Sequence, residues 1–307
     1  MVKGMSFVAL QTLFRKEYND AVSQYENTNA WDAMAEIGTM IPSTGAVEDY
    51  RWLQESPEFE QWIGDLNSAD LAEYKFSITN EPFAASIGVH EDEIADDKDD
   101  LILQRIRSMA GGDKRKWGKM LGDLLVNGTS LKAFDGVNFF SDVSGVRIND
   151  NLLAGTISAG SPTVAQVLAD VDTVIQAMGA FKNSRGEIVG IVPDTFVVSL
   201  KVASTFRRAL MSPTDASNAN SAVNNPFQGM GFRIVVHPGL SDANDFYALA
   251  TRYSVGGLVK QQRTAVETRL DETGRNKNGR LNFLAKFRGN VGYGLPIMAA
   301  KVVSGVA

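Results

Sequence analysis

One apolar pattern constrains this chain more than any other. Ile102, Ile106, Met109, Trp117, Met120, Leu121 and Leu124 fall on one side of a helix predicted over about residues 98–127. At about 1.5 Å per residue such a helix spans ~45 Å, long for a domain of this size. Gly111-Gly112 in its middle marks a bend, and Asn127-Gly128 stops it with glycine in the C′ place. The acidic run Glu91, Asp92, Glu93, Asp96, Asp97, Asp99 and Asp100 leads into it. Those acids are expected to cap its N-terminus, where the helix dipole favours negative charge.

Upstream, Phe7, Leu10, Phe14 and Tyr18 recur at helical spacing, and the following stretch is rich in Asn, Ser and Gln. This segment reads as an arm that finds its partners elsewhere rather than folding alone. Residues 46–90 alternate turn formers with aromatics. Glu73 to Thr79 and Pro82 to Val89 read as two strands of a hairpin joined by Asn80-Glu81-Pro82. Such a hairpin is too thin to bury Tyr74, Phe76 and Phe83, so a neighbouring chain is expected to cover them.

Downstream, residues 129–160 are loop-rich. Ser161-Pro162 reads as a helix start, and Val164, Val167, Leu168, Val171, Val174, Ile175 and Met178 form an apolar stripe to about residue 182. Strands are expected at 188–192 and 195–200, a helix at 202–211, and a flexible loop at 212–226 with little apolar content. Further strands are expected at 232–237, 246–251, 258–262, 265–270, 283–288 and 298–303. The order is arm, hairpin, long helix, mixed elements, then strands, which is an α+β arrangement.

The residues that could carry chemistry are few. There is no cysteine, so thiolate metal sites and disulfides do not arise. His90 and His237 are the only histidines, too few for a zinc site without carboxylates. They read as structural. The acidic run lacks the calcium-loop spacing. No G-x-S-x-G, phosphate-binding glycine loop or supported Ser–His–Asp set is visible. No catalytic, cofactor or metal residue is therefore assigned. Net charge is −6, and the densest basic cluster, Lys114-Arg115-Lys116 with Lys119, is flanked by Asp113 and Asp123. It reads as a solvated helix face rather than a nucleic-acid stripe. No apolar run approaches a membrane span, and no signal peptide is read at the N-terminus.

A set of short blocks in fixed order carries a resemblance. They are Tyr50-Arg51-Trp52-Leu53 with Phe59-Glu60-Gln61-Trp62-Ile63-Gly64, then Tyr74 to Phe83 (F-x-I-x-N-x-x-F), then Glu91-Asp92-Glu93-Ile94 with Asp96-Asp97-Lys98. Phe134-Asp135-Gly136-Val137-Asn138-Phe139-Phe140 follows, then Ile191-Val192-Pro193 with Val197-Val198, then Asn225-Pro226-Phe227 before Val235-Val236. The last is Gly289-Asn290-Val291-Gly292-Tyr293-Gly294-Leu295, a β segment with three glycines at near-alternate places. Together they resemble the major head subunit of Mu-like phages and prophages.

The resemblance implies the tailed-phage and herpesvirus coat fold. It implies an N-terminal arm (1–45), an extended loop (46–90), a peripheral domain with the spine helix (91–159), an axial domain (160–250) and return strands of the peripheral domain (251–307). It implies a capsid protein that assembles with itself into pentamers and hexamers around double-stranded DNA, without sequence-specific binding, catalysis, cofactor or membrane. Scaffold or protease and portal proteins would be its other partners. It would be assembled in the host cytoplasm and reside in the virion. Trp52, Trp62, Tyr74, Phe76 and Phe83 are the expected intersubunit contacts. Two other classes stand beside this reading: an encapsulin-like compartment enclosing protein cargo, separable by what the particle contains, and a hydrolase, separable by any turnover.

Overall fold

A computed structural model describes residues 6–26, 29–50, 76–96, 100–142, 147–158, 160–183, 185–214, 224–242, 244–274 and 279–304. Trp52, Trp62, Tyr74, Asp97, Asp99, the centre of the 212–226 loop and residues 275–278 lie outside them. The helices are α1 (Phe7–Ser23), α2 (Ala30–Met34), α3 (Glu91–Asp96), α4 (Leu101–Ser108), α5 (Gly112–Val126), α6 (Val164–Gly179) and α7 (Leu200–Met211). The strands are β1 (Thr39–Pro42), β2 (Val47–Tyr50), β3 (Phe76–Thr79), β4 (Glu81–His90), β5 (Leu152–Gly155), β6 (Thr195–Ser199), β7 (Arg233–His237), β8 (Phe246–Leu249), β9 (Leu258–Asp271), β10 (Arg280–Tyr293) and β11 (Ala299–Ser304).

One sheet has the order β5-β11-β8-β6-β7. Its interior strands β8 and β6 are buried at every residue, as strands covered on both faces must be. Phe196 and Val198 enter the core made with α6 and α7, among Val171, Val174, Val202 and Phe206. Val197 points the other way, with Val235, Tyr247 and Leu249, toward Leu121, Leu125, Phe139 and Phe140. The alternation is the period-2 geometry of a strand. Each of these side chains contributes about 1.5–3 kcal/mol by leaving water.

The second sheet, β1-β9-β10-β4, is dominated by the long antiparallel pair β9 and β10. One face of it receives α1 and α4 through Leu10, Phe14, Ile102, Ile106, Leu281 and Phe283. The third is a ribbon of β2 and β3 alone.

Several elements differ from the sequence expectation. The N-terminal segment is docked on its own chain rather than left as an arm: Leu10, Phe14 and Tyr18 are buried, and β1 pairs in parallel with β9. The apolar stripe of α1 is completed by α4, which lies too far along the chain for local patterning to reveal. The spine is two helices, not one. Gly111 breaks it in the left-handed region at φ 72°, and the Tyr25 ring occupies the space where a Cβ would sit. The two halves serve different cores, α4 with α1 and α5 with α2 and the sheets. After α5, Gly128 does not adopt positive φ, and the chain turns through a 3-10 turn at Asn127–Thr129.

Among the described residues, the acidic run makes no cap on the spine. Glu91, Asp92 and Glu93 fall in the first turn of α3, while Asp100 precedes α4 with no side-chain cap hydrogen bond. The cap of α6 is Thr163, in a reciprocal box with Gln166, rather than Ser161. Residues 258–271 form one strand instead of two, the weak apolar pattern at Gln262-Arg263-Thr264 coinciding with a register shift opposite Arg288. Residues 188–192 form no strand beyond a single bridge from Ile188 to Lys182. Strand β5 lies in the stretch read as loop. Both β5 and β11 join the sheet of β6, β7 and β8.

Candidate functional site

The predicted hairpin of 73–79 with 82–89 does not form. β3 pairs with β2, with Val47 opposite Thr79 and Tyr50 opposite Phe76. β4 instead pairs along its whole length with β10, from Glu81–Gly289 to His90–Arg280. The physical reason is Asn80. It is buried, and its side chain donates to Ser43 Oγ (2.7 Å) and to the Gly45 carbonyl (2.9 Å). That anchors the residue instead of letting it turn the chain back.

The ribbon ends at the opposed pair Tyr50 and Phe76, which bracket residues 51–75 in the sequence. Its base is seated by an apolar cluster of Tyr50, Ile78 and Val259, with Ile41, Phe76 and Phe134 against it. Gly292 provides the seat for Ile78, since a Cβ there would lie 2.4 Å from Ile78 Cδ1. The glycines singled out in the sequence thus serve close approach. Glu48 closes the entry turn. Its Oε1 accepts from the amides of Gly45 and Thr44 (both 2.6 Å) and from Ser43 Oγ (3.0 Å). Those donors, Gly45 first, hold the exposed carboxyl below its ordinary range. Burial, with a smaller contribution from Glu48, pushes the Tyr50 phenol up to about 12.

Of the expected contact residues, Phe76 and Phe83 are described, and both are half-buried. They are not brought together. Phe76 belongs to the ribbon cluster, whereas Phe83 packs against Phe287 with ring centres 5.2 Å apart and tilted by 31°, and Lys116 Nζ lies 4.6 Å from its ring centre. Part of each ring is thus satisfied within the subunit. Trp52, Trp62 and Tyr74 are outside the described residues. A second surface was not signalled by sequence. Val192, Met230 and Tyr253 are 55%, 51% and 40% exposed and flank a cavity of about 370 Å³ that also touches Pro193, Phe232 and Arg252. They come from three loops, so no local period marks them.

The two histidines sit against different elements. His90 Nδ1 lies 3.3 Å from Asp92. His237 is buried, its ring edge-on to Trp31 at 5.2 Å. Its Nδ1 accepts from the Gly239 amide (3.1 Å), and its Nε2 has no hydrogen-bond partner. Burial holds this imidazole below its usual range, opposed by weaker pulls from backbone groups including Gly122, and from Asp123 on α5. The unfolded chain, with an ordinary value of about 6.5, then binds a proton that the folded chain refuses. The stability from this site is fully present above that pH and is lost as pH falls below it. Urea titrations at a series of pH values are expected to show this acid-side loss, and His237→Gln should flatten it while lowering overall stability. An unchanged slope in the variant would contradict the assignment.

Residues 7–160 match the family described as Mu-like prophage major head subunit gpT. The chain is similar to the major capsid protein of Escherichia phage Mu, with 26% identity over 144 residues, covering 46% of this chain and 44% of that protein. The match thus spans less than half of that relative's length. In fold the chain is similar to a subunit of the bacteriophage JBD30 procapsid, with TM-score 0.52 and 19% identity over 98% of this chain and 75% of that one. It is also similar to the mature capsid of bacteriophage PhiM1, with TM-score 0.53 and 14% identity over 89% and 87% of the two chains. The architecture of two large sheets, broken spine and two-stranded ribbon is accordingly the phage capsid fold. With half of its length matched, this chain belongs to the Mu-like prophage major head subunit gpT family.

Proposed function

We propose that this chain is the tile of a phage head, assembling with copies of itself into five- and six-membered rings that close into an icosahedral shell around double-stranded DNA. The observation that carries this reading is the match of residues 7–160 to the Mu-like prophage major head subunit gpT family, on a chain with the phage capsid fold. The intersubunit grip in this proposal is at the β2–β3 ribbon, whose end is the opposed pair Tyr50 and Phe76. Rings arise from head-to-tail contacts that close, and a subunit held by several neighbours is held by their sum. Trp52, Trp62 and Tyr74, with the outward parts of Phe76 and Phe83, are the proposed contact residues. The net charge of −6 means that the wall does not condense DNA by itself. Scaffold, protease and portal partners, and assembly in the host cytoplasm, belong to the same proposal.

Electron microscopy of the purified protein, alone and co-expressed with a cognate scaffold, is the test. Closed shells or rings are expected. Only monomers under both conditions, at concentrations where relatives assemble, would overturn it. Protein cargo in place of DNA in particles from a producing host would favour the compartment reading.

A further inference from the structure

Gln261 stands on β9 where the ribbon meets the four-stranded sheet, and it is fully buried. Its Oε1 accepts from the Tyr50 hydroxyl on β2. Its Nε2 donates to the Ile78 carbonyl on β3 (3.2 Å) and to Asn80 Oδ1 (2.8 Å). Asn80 carries the chain of bonds on to Ser43 and Gly45, at the turn that begins the ribbon. One side chain on the sheet therefore touches both strands of the ribbon and, through Asn80, its entry turn. Both amide hydrogens and the carbonyl of the glutamine are used, so no apolar side chain of that size reproduces the set.

The apolar cluster beneath the ribbon cannot do the same. Contacts among Tyr50, Ile78 and Val259 are non-directional and permit the ribbon to rock. Hydrogen bonds lose strength steeply away from linearity and define an orientation. We propose that Gln261 is a positioning residue that fixes the angle between ribbon and sheet, and through it the angle at which copies of the chain meet. The inference rests on the shell reading above. In a closed ring the same rotation recurs at every contact, so a rocking ribbon spreads the curvature instead of weakening one contact.

The test is Gln261→Met, which keeps approximate volume and removes the polar set, assembled beside wild type. Val174→Ala, in the α6 core away from the ribbon, serves as a comparably destabilised control. Particle diameters are measured by electron microscopy and sedimentation. The Met variant is expected to give a several-fold broader size distribution with open or mis-sized shells, and the control to match wild type. If the Met variant fails to fold, Tyr50→Phe, which deletes one hydroxyl and leaves the ring, must broaden the distribution. A folded variant with the narrow wild-type distribution would overturn the proposal, as would equal broadening in the control. Failure of the wild type itself to assemble would instead remove the shell reading, so the two failures are distinguishable.

Discussion

Replacing residues 51–75 by a two-residue Asn-Gly turn is expected to leave a folded monomer that no longer assembles. The register makes this possible. Tyr50 and Phe76 are directly opposed at the end of an antiparallel pair, where a short primed turn closes the ladder. The buried ribbon base, Tyr50, Ile78 and Gln261, stays intact. Replacing residues 72–90 by a short Gly-Ser linker has a different expected outcome, although the sequence alone suggests that it would leave a folded monomer that assembles poorly. That segment contains β4, which pairs with β10 over its whole length and places Val89 in the core under α1 and α4. Its loss exposes the edge of β10 and removes at least one core side chain worth about 1.5–3 kcal/mol, besides the ladder itself. Thermal melts and gel filtration separate the two. Normal shells from the 51–75 replacement would refute the contact role of Trp52, Trp62 and Tyr74. A cooperative melt near the wild-type temperature after loss of 72–90 would contradict the pairing of β4.

The second large effect is expected at Asn151, a residue that looks like an ordinary loop asparagine. It is 1% exposed. Its Nδ2 donates to the carbonyls of Phe139 (2.9 Å), Pro296 (3.1 Å) and Ala299 (3.1 Å), and its Oδ1 accepts from the Ser141 amide (3.0 Å). Its backbone carbonyl accepts from the Lys301 amide at the start of the β11–β5 pairing (2.8 Å). One side chain thus satisfies backbone groups from two distant segments, 139–141 and 296–299. Asn151→Ala strands several of them in a dry interior, where each unsatisfied group costs about 1–3 kcal/mol. A loss of about 3 kcal/mol or more is expected, a Tm drop on the order of 10 °C for a chain of this size. Asn151→Asp, which keeps the acceptor and loses the donors, should recover little. A loss under about 1 kcal/mol in the Ala variant would mean that water reaches these groups.

The features that could be read along the chain were periodic or compositional. The stripe of α6, the strand at 195–200, the α+β order of elements and the phage-head resemblance were all legible, because each is written in neighbouring residues or in blocks of fixed order. Even the break in the spine was marked by Gly111-Gly112, although its sharpness depends on Tyr25, a residue from the N-terminal segment. Only the tertiary structure decided which strands pair. β2 and β4 both present themselves as partners for β3, and the choice falls to Asn80, whose buried bonds to Ser43, Gly45 and Gln261 are made with residues far away in the chain. The same holds for Gln261, which stands beside a second glutamine in a strand and differs from it in sequence by nothing visible. Hydrogen-bond satisfaction in a buried junction depends on all the groups that converge there. No local pattern records that convergence, and so the elements could be read along the chain while the joint that aims the ribbon could not.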